Sequence, residues 1–574
     1  MNYFDQFNLW LNRATDDQDL IVELQAIQGE KKEIESRFCR NLEFGTGGLR
    51  GLIGAGSNRM NIYTVANATQ GYSNYLREIF DTPSVAIAYD SRIKSTLFAE
   101  TAAQVFAANG IKVHIFRELM PTPVLSFAVR ELHCSGGVVI TASHNPSRYN
   151  GYKVYGSDGC QITLDAAKAI LERINSVEIF DGVKKLPFSS GVDEGLISYI
   201  SEELITGYIH AVSSQSMEKE AIDKNVAITY TPLNGTGLKC VTRCLQENGF
   251  TKIIVPTEQE QPDGNFLTCP YPNPEIREAL SVGLEWAKRT NSDLLLASDP
   301  DCDRIGVAVK NGDDYTLLTG NQIGVLLLEY ICKRRIAYGT MPEHPIVIKT
   351  IVTTDMAEKI AKKYGVKIIN VLTGFKFIGE QIGYLEASGE VNRYIFGFEE
   401  SYGYLSGSFV RDKDGVNAAL LICEMFAYYK SLGKSLLDVL NELFTTFGVF
   451  KETLQSFSFE GPEGSEKIQR IMTNLRDNPP KIILGKRLWA ISDYKKSQTI
   501  FDDGHIEKIQ LPMSDVLKFN LADDISIVIR PSGTEPKLKS YYSVKAETWE
   551  ESVRWTEEFQ AYFANYIYSF GGNP

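Results

Sequence analysis

Ser143 and His144 directly follow the apolar segment 138–142, and Asn-Pro and Asn-Gly turns separate them from Lys153. An uninterrupted apolar run predicts a buried strand, and the turn residues predict a tight, exposed loop after it. A small nucleophile at a strand end, with a base and a cation nearby, can form a covalent intermediate. An ordinary strand-to-loop junction in which Ser143 caps a turn is the alternative, and this stretch alone does not decide between the two.

Three aspartates alternate directly after the apolar run 294–296: Asp299, Asp301 and Asp303. In an extended segment, alternate side chains point to one side and would bring the carboxylates together. Three such charges require a cation or a raised pKa, and all-oxygen ligation suits Mg²⁺. An EF-hand loop is excluded because Arg304 and Lys310 stand where that loop needs Gly and Glu. The apolar run favours a buried metal site over a solvated acidic turn, and Arg304 would contact a phosphoryl group there.

A basic turn near the end of the chain has donors that suit a phosphate. The apolar run 526–529 ends at Arg530, and a Ser-Gly-Thr turn and two lysines follow: Ser532, Gly533, Thr534, Lys537 and Lys539. Guanidinium, hydroxyl and turn N–H donors would then face one small space. A basic surface turn is the alternative. In a chain of net charge −13, this concentration of positive charge favours a phosphate site.

A glycine-rich segment at 43–51 contains four glycines around Arg50. Such a segment lets backbone N–H groups approach an anion, and the arginine adds a planar fork of donors. Dense glycines are more often turn formers, so this segment alone is a weak signal. It is not a P-loop, because no Gly-Lys-Ser/Thr closes it.

The composition limits the class of protein. The length of 574 residues suggests three to five domains, and the net charge of −13 argues against non-specific nucleic-acid binding. The nine cysteines are scattered without a CxxC pair, which favours neither a zinc site nor a disulfide framework. The N-terminus resembles no signal peptide, and the chain has no run of 18 apolar residues. We therefore expect no membrane partner and a cytoplasmic location.

A strand–helix–strand pattern occurs three times and indicates the elements that position these residues. The first strands are predicted at 84–89, 226–230 and 345–349, and the second at 111–115, 251–255 and 366–369. In each copy the helix between them ends at a glycine, as in a βαβ unit with parallel strands. Three related α/β domains with mixed sheets are therefore predicted, after an N-terminal helical arm over residues 1–40.

Each copy later has a further apolar strand that ends in a polar loop. These loops contain Ser143, the three aspartates and the glutamates Glu399 and Glu400, respectively. Open α/β sheets bind ligands beyond the carboxyl ends of their strands. The three loops are therefore expected to meet in one cleft. A candidate nucleophile, a metal site and a phosphate-binding turn together favour phosphoryl transfer.

Four motifs in this order resemble the signatures of the α-D-phosphohexomutases: TASHNP at 141–146, DPDCDR at 299–304, GFEES at 397–401 and RPSGTEP at 530–536. The resemblance extends over nearly the whole chain. It implies four domains around a central cleft, the last a smaller α+β domain. We expect the domains at 1–205, which includes the arm and the phosphoserine loop, at 206–320 with the metal loop, at 321–440 with the sugar loop and at 441–574 with the phosphate loop.

The resemblance also implies a role for each site residue. Ser143 would be carried as a phosphoserine, and Mg²⁺ would be bound by its phosphate and the three aspartates. Arg50 would stabilise the transferring group, while His144, Lys153 and Lys376 are candidates for proton transfer or substrate orientation. The residues expected to bind the substrate are Thr373, Gly374, Glu399, Ser401, Arg530, Ser532, Gly533, Thr534 and Lys539.

The implied reaction interconverts glucose 1-phosphate and glucose 6-phosphate, with glucose 1,6-bisphosphate as intermediate and activator. The Glu-Glu-Ser sequence of the third loop resembles the glucose-type version. Phosphopentomutase and phosphomannomutase activities are the alternatives within the family, and a non-catalytic sugar-phosphate sensor is an alternative of another class. Partners would be small sugar phosphates, and the chain would act as a monomer or homodimer.

Overall fold

The computed structural model describes residues 2–45, 47–218, 222–459, 463–532 and 537–569. The N-terminal segment forms three short helices: α1 (Tyr3–Arg13), α2 (Gln18–Ala26) and α3 (Lys31–Phe38). Asn2 caps α1 by accepting from the N–H groups of Phe4 and Asp5. Trp10 is fully buried and belongs to the same apolar core as the first sheet. The segment is therefore not a free arm but packs as part of the first domain.

The first sheet has six strands in the order β1-β5-β4-β2-β3-β6. Pairing is parallel among β4, β2, β3 and β6 and antiparallel for β1 with β5 and β5 with β4. The elements of this domain are β1 (Gly48–Leu52), α4 (Ile62–Ile79), β2 (Ser84–Tyr89), α5 (Ser95–Ala108), β3 (Lys112–Ile115), α6 (Thr122–Glu131), β4 (Gly136–Ile140), β5 (Tyr149–Gly156), α7 (Leu164–Asn175), α8 (Phe188–Asp193) and β6 (Ile197–Tyr199).

The second sheet has five strands in the order β11-β10-β9-β7-β8. The strands β9, β7 and β8 are parallel, and β10 and β11 are added antiparallel. The elements are α9 (Glu202–Ser213), β7 (Ile228–Thr231), α10 (Gly237–Glu247), β8 (Ile253–Ile254), α11 (Thr257–Glu260), a 3₁₀ turn (Arg277–Leu280), α12 (Ser281–Thr290), β9 (Leu294–Ser298), β10 (Ile305–Asn311) and β11 (Asp314–Leu318).

The third sheet has four strands in the order β13-β12-β14-β15, of which only β15 is antiparallel to its neighbour. The elements are α13 (Gly320–Ala337), β12 (Ile346–Thr350), α14 (Met356–Tyr364), β13 (Lys367–Val371), α15 (Phe375–Ala387), a 3₁₀ turn (Val391–Arg393), β14 (Tyr394–Glu399), β15 (Gly403–Leu405), α16 (Gly415–Ser431) and α17 (Leu436–Phe447).

The fourth sheet is antiparallel, and with its two long helices it encloses a separate apolar core. All residues of that core lie between Phe457 and Ile567. The elements are β16 (Val449–Ser458), α18 (Gly464–Asp477), β17 (Ile482–Ile483), β18 (Lys486–Asp493), β19 (Gln498–Phe501), β20 (Ile506–Lys508), β21 (Leu517–Leu521), β22 (Ile525–Pro531), β23 (Lys537–Ala546) and α19 (Trp549–Tyr568).

The repeated pattern is confirmed by the strand order. The parallel triplets β4-β2-β3, β9-β7-β8 and β14-β12-β13 have the same arrangement, with the first strand of each βαβ unit in the middle. The predicted fold class, three α/β domains with mixed sheets and a smaller C-terminal α+β domain, is therefore confirmed. The common topology places the polar loops after β4, β9 and β14 at corresponding edges of the three sheets.

The predicted domain limits fall inside helices. The limit at 205/206 lies in α9, the limit at 320/321 in the first turn of α13 and the limit at 440/441 in α17. One large core includes residues of the first three sheets, such as Ala86, Tyr230 and Val347, so these units form a continuous apolar interior. The domain limits stay predictions. Among the helices of the described ranges, none combines the length and the apolarity needed to cross a membrane.

Candidate active site

Ser143 lies just beyond β4 and faces the aspartate loop of the second domain. Its hydroxyl donates to Asp299 Oδ2 at 2.7 Å, and its Oγ lies 3.2 Å from His144 Nδ1. The residue has a positive φ of 52°, and its exposed fraction is only 3%. The prediction of an exposed loop was therefore wrong for Ser143, because the aspartate loop packs over it.

The aspartates form a compact, buried cluster on the loop between β9 and β10. One carboxylate oxygen from each of Asp299, Asp301 and Asp303 lies within 4.8 Å of the others. The segment is not extended as predicted. Cys302 has a φ of 50°, and its N–H donates to the Asp299 carbonyl at 2.9 Å, which closes a turn. The turn, rather than strand alternation, brings the carboxylates together.

The charge balance of this cluster depends on Lys153, which projects from β5. Lys153 Nζ lies 2.7 Å from Asp301 Oδ2 and 3.3 Å from Asp303 Oδ2. Burial opposes ionisation of Asp301, but the charge of Lys153 outweighs it and lowers the pKa of that carboxyl. Burial and the two neighbouring carboxylates raise the pKa of Asp299 well above its ordinary value.

The donor set fits a hard divalent cation. Asp301 Oδ1 and Asp303 Oδ1 are buried and have no hydrogen-bond partner among the described residues. A buried carboxylate oxygen without a partner is costly, and a metal ion would satisfy both. Carboxylate oxygens are the ligands that Mg²⁺ prefers. The cluster, with the neighbouring Ser143 oxygen, can therefore hold Mg²⁺.

Two further residues contact the cluster and were missed as site residues in the sequence. Lys413 Nζ lies 3.1 Å from Asp303 Oδ2, and the Thr122 hydroxyl donates to Asp301 Oδ2 at 2.9 Å. Lys413 lies in the charged segment 412–414, whose Asp-Lys-Asp sequence gives no sign of a contact with the aspartate loop. Thr122 begins α6 between two prolines, a setting that gives no chemical signal. Only the packing of the domains shows that both reach the cluster.

Two arginines stand beside the aspartates. Arg304 Nη1 pairs with Glu275 Oε1 at 2.8 Å, and its Nε lies 3.7 Å from Asp303 Oδ1. Arg50 is exposed on β1, where it is opposite Gly151 in β5. The positive charge of Arg304 lies close enough to repel that of Arg50. A dianionic phosphoryl group would relieve the repulsion between these two arginines.

His144 is half-buried between Ser143 and these arginines. Burial and the nearby positive charges of Arg304 and Arg50 lower the pKa of the imidazole well below its ordinary value. His144 is therefore neutral at pH 7, and its ring nitrogen can accept a proton.

The third loop presents Glu399 at the end of β14. Burial raises the pKa of the Glu399 carboxyl to about 7, a rise that Lys413 opposes and Glu400 supports. Glu400 accepts hydrogen bonds from Thr350 at 3.1 Å and Thr353 at 3.3 Å. Its carboxylate is thus held by the third sheet, whereas Glu399 is buried at the end of β14.

A second segment of the third domain contains three residues of the predicted site: Thr373, Gly374 and Lys376. Gly374 has a φ of 118° and precedes α15, while Lys376 lies buried in the first turn of that helix. Burial lowers the pKa of Lys376 to about 8. The Thr373 hydroxyl is buried without a hydrogen-bond partner in the described part of the chain. Ser401 is half-buried in the turn after β14.

The phosphate-binding candidates lie on the fourth sheet. Arg530 near the end of β22 is opposite Lys539 in β23, and the Ser532 N–H donates to the Lys537 carbonyl at 2.7 Å. Gly533 and Thr534 lie outside the described residues. Burial raises the pKa of Tyr541 to about 12, a rise that Arg530 opposes and Glu400 supports. Tyr541 packs against the large core of the other domains, and Val528 of β22 belongs to that core.

Sequence comparison with known protein families identifies the first three domains. Residues 41–179, 206–312 and 319–447 match the families described as phosphoglucomutase/phosphomannomutase, alpha/beta/alpha domains I, II and III. The chain belongs to the phosphoglucomutase/phosphomannomutase family. This places it in the α-D-phosphohexomutase superfamily, as its motifs predicted.

Relatives over almost the full length support this membership. Phosphoglucomutases of Staphylococcus aureus strains MSSA476 and N315 are each 37% identical over 555 residues, which cover 95% of this chain and 96% of the relative.

Solved structures share the fold of this phosphoglucomutase/phosphomannomutase family member. A phosphoglucomutase/phosphomannomutase family protein from Burkholderia thailandensis has a TM-score of 0.66 at 17% identity, with 92% of this chain and 98% of that chain covered. The Paramecium exocytosis-sensitive phosphoprotein pp63/parafusin, a phosphoglucomutase in its open form, has a TM-score of 0.66 at 16% identity, with 92% and 95% covered. At these identities the likeness shows the fold alone.

Proposed function

We propose that this protein is a phosphosugar mutase that interconverts glucose 1-phosphate and glucose 6-phosphate. The observation that carries the proposal is the contact of 2.7 Å between the Ser143 hydroxyl and Asp299, within a cluster in which two buried carboxylate oxygens accept no hydrogen bond from the described residues. A phosphoryl acceptor beside a site for a divalent cation is what the proposed reaction needs. The name phosphoglucomutase of the full-length relatives supports the choice of sugar.

The proposed cycle starts with a phosphoryl group on Ser143. A hydroxyl oxygen of the sugar monophosphate loses its proton as it forms the new O–P bond, the bond between phosphorus and Ser143 Oγ breaks, and Oγ takes up a proton. The resulting bisphosphate, glucose 1,6-bisphosphate, reorients and returns its other phosphate to Ser143. Mg²⁺ held by the three aspartates would neutralise charge on the transferring phosphoryl group.

Proton transfer at Ser143 is assigned to His144. In the return step the hydroxyl proton must leave Oγ as the O–P bond forms, and the neutral imidazole Nδ1 lies 3.2 Å away. In the forward step the same nitrogen can return the proton to Oγ. Lys153 and Lys376 are proposed to exchange protons with the sugar oxygens.

The other site residues are proposed to hold the substrate. Arg50 and Arg304 would contact the transferring phosphoryl group, since Arg304 Nε lies 3.7 Å from Asp303 Oδ1 and Arg50 stands on β1 beside the strand of Lys153. Glu399 and Ser401 would bind sugar hydroxyls, with Thr373 and Gly374 beside them. The phosphate that does not react would be held by Arg530, Ser532, Gly533, Thr534 and Lys539.

The partners that this activity requires are small sugar phosphates. A net charge of −13 is unfavourable for a nucleic-acid partner. We propose a cytoplasmic enzyme that acts as a monomer or homodimer, with Mg²⁺ as cofactor and glucose 1,6-bisphosphate as activator.

Substrate preference tests the proposed function directly. The measurement is kcat/KM for glucose 1-phosphate, mannose 1-phosphate and ribose 1-phosphate with Mg²⁺ and glucose 1,6-bisphosphate present. We expect the glucose ester to have the highest value. A higher value for ribose 1-phosphate or mannose 1-phosphate would replace the glucose assignment. No turnover of any ester, with no phosphate on Ser143 in the intact-mass spectrum, would instead indicate a sugar-phosphate sensor.

Arg530→Ala is expected to raise KM by about 10- to 100-fold, because one or two charge-assisted hydrogen bonds to the unreactive phosphate are lost. We expect kcat to change by less than about threefold, since Arg530 does not contact the reacting group. The matched control is Arg487→Ala, because Arg487 is a largely exposed arginine of the same domain that pairs with Asp502. An unchanged KM in the Arg530 variant would remove the phosphate assignment.

The pH dependence of kcat/KM is expected to contain an alkaline limb near pH 8 that belongs to Lys376. Burial lowers the pKa of this amine to about 8, so it loses its positive charge as the pH rises through that value. A neutral amine binds a phosphate or donates a proton less well. The limb should disappear in Lys376→Gln and persist in Lys362→Gln, a change at an exposed lysine of α14. If the alkaline limb persists in the Lys376 variant, the limb belongs to another titrating group.

A further inference from the structure

Arg92 is a buried arginine that the proposed mechanism does not use. It follows β2 in the loop that begins at Asp90, and its side chain is inaccessible to solvent. Its Nε lies 3.2 Å from Asp90 Oδ2, so the two charges are paired inside the first domain. Asp90 also accepts hydrogen bonds from Ser95 Oγ at 2.8 Å and from Thr141 Oγ1 at 2.6 Å.

The guanidinium group of Arg92 binds the backbone of the loop that contains Ser143. It donates to the carbonyl of Ser143 and to those of Asn145, Pro146 and Tyr149, the last two at 3.0 and 3.1 Å. One planar guanidinium group thus donates hydrogen bonds to four carbonyl groups of a single loop. A lysine has a single ammonium group and cannot reproduce this geometry.

Both peptide groups of Ser143 are fixed by this arrangement. Its N–H donates to Thr141 Oγ1 at 2.8 Å, and its carbonyl accepts from Arg92. Thr141 and Arg92 are in turn both bound to Asp90. We call Asp90, Arg92 and Thr141 the Ser143 clamp. Ser143 has a φ of 52°, a conformation that a residue with a side chain adopts at a cost, so it needs such outside support.

The clamp also touches the second domain. The ring of Phe266 lies 5.2 Å from the Arg92 guanidinium carbon, and Arg92 forms an isolated β-bridge with Gly264. A Cβ on Gly264 would come within 2.5 Å of the Ile93 nitrogen. The backbone segments at Gly264 and Ile93 therefore lie closer together than a residue with a side chain would allow. The loop of Ser143 is therefore tied to the domain that contains the three aspartates.

We propose that Arg92 is a positioning residue that sets the distance between Ser143 Oγ and the aspartate cluster for phosphoryl transfer. This inference rests on the proposed mutase function. Arg92 reaches no reacting atom, because its hydrogen bonds go to backbone carbonyls. Its effect is to hold the Ser143 main chain in the positive-φ conformation that directs Oγ toward Asp299. A misplacement of about 1 Å at the reacting atom can lower a rate about 10²-fold.

The test is Arg92→Lys, which retains the charge opposite Asp90 but not the planar fork. We expect kcat to fall by about 10²-fold, with KM for the glucose ester changed by less than about threefold. The rate of Ser143 phosphorylation by glucose 1,6-bisphosphate should fall in parallel, as measured by intact mass in a single turnover. The rise in melting temperature on addition of Mg²⁺ should remain, because the aspartates are unchanged. Arg77→Lys is the control, since Arg77 is exposed on α4.

A second variant keeps the test valid if the lysine protein does not fold. Thr141→Val has nearly the same shape and removes the oxygen that accepts from the Ser143 N–H, while Arg92 stays in place. We expect the same separation of kcat from KM, with a smaller fall in kcat. An unchanged kcat in the folded variants, or a rise in KM alone, would overturn the proposal. A wild-type protein that turns over no sugar phosphate would instead contradict the proposed function.

Discussion

Ser143→Ala is expected to abolish turnover, with a loss of kcat on the order of 10⁴-fold or more, while the protein stays folded. The variant removes the only oxygen that can carry the phosphoryl group in the proposed cycle. It also removes the hydrogen bond to Asp299, which costs about 1 kcal/mol of the free energy of unfolding. The measurements are kcat in a coupled assay for glucose 6-phosphate and the melting temperature.

Ser147→Ala is the matched control for this variant. Ser147 lies four residues further along the same loop and is half-buried, so a general loss of loop structure would affect both variants. We expect Ser147→Ala to retain near-normal kcat. The intact-mass spectrum after incubation with glucose 1,6-bisphosphate should show one added phosphate in the wild type and none in Ser143→Ala. Near-normal turnover in the Ser143 variant would refute the phosphoserine mechanism.

Asp299→Asn is expected to lower kcat on the order of 10³-fold and to remove most of the melting-temperature rise that Mg²⁺ gives the wild type. Burial and the neighbouring carboxylates of Asp301 and Asp303 raise the pKa of Asp299, so a neutral amide relieves repulsion in the metal-free protein. Asn also retains an oxygen to accept from the N–H groups of Asp303 and Arg304. Without Mg²⁺, the variant should therefore melt at least as high as the wild type.

Asp313→Asn is the control for charge removal in the same domain, because Asp313 is exposed in the turn between β10 and β11. It should retain both kcat and the response to Mg²⁺. The two melting curves, with Mg²⁺ and with a chelator, separate metal binding from a loss of folding. A full Mg²⁺ response in Asp299→Asn would remove this aspartate from the metal site. If Asp299→Asn melts at a lower temperature than the wild type in the presence of chelator, the aspartate carboxylates do not repel one another as proposed.

These two predictions follow from one consequence of the topology. In each of the first three sheets, one parallel strand is followed by a polar loop. The continuous core of these domains holds the three loops close together. The loops can therefore bring together charges that no single domain could hold alone, such as Lys153, Asp301 and Lys413. The fourth sheet has a core of its own, while Phe450 and Val528 of its strands belong to the large core and join it to the other domains.

The sequence alone determined the fold class and the types of residue in the site. Alternation of apolar strands with helices that end at glycine is a local property, so the three βαβ units could be read directly from the chain. The motifs that contain Ser143, Asp299 and Arg530 are also local patterns, so the sequence alone indicated residues suited to phosphoryl transfer. Their spacing along the chain already indicated a nucleophile, a hard metal site and a phosphate site.

Only the tertiary structure decided how these residues meet. The aspartate loop was expected to be extended, but it turns at Cys302, and Ser143 is buried rather than exposed. The partners Thr122, Glu275 and Lys413 come from positions remote in sequence and touch the site through domain packing. The same is true of Arg92, whose four carbonyl acceptors lie more than fifty residues away. Contacts of this kind depend on how the sheets pack against one another, which a local sequence pattern does not specify.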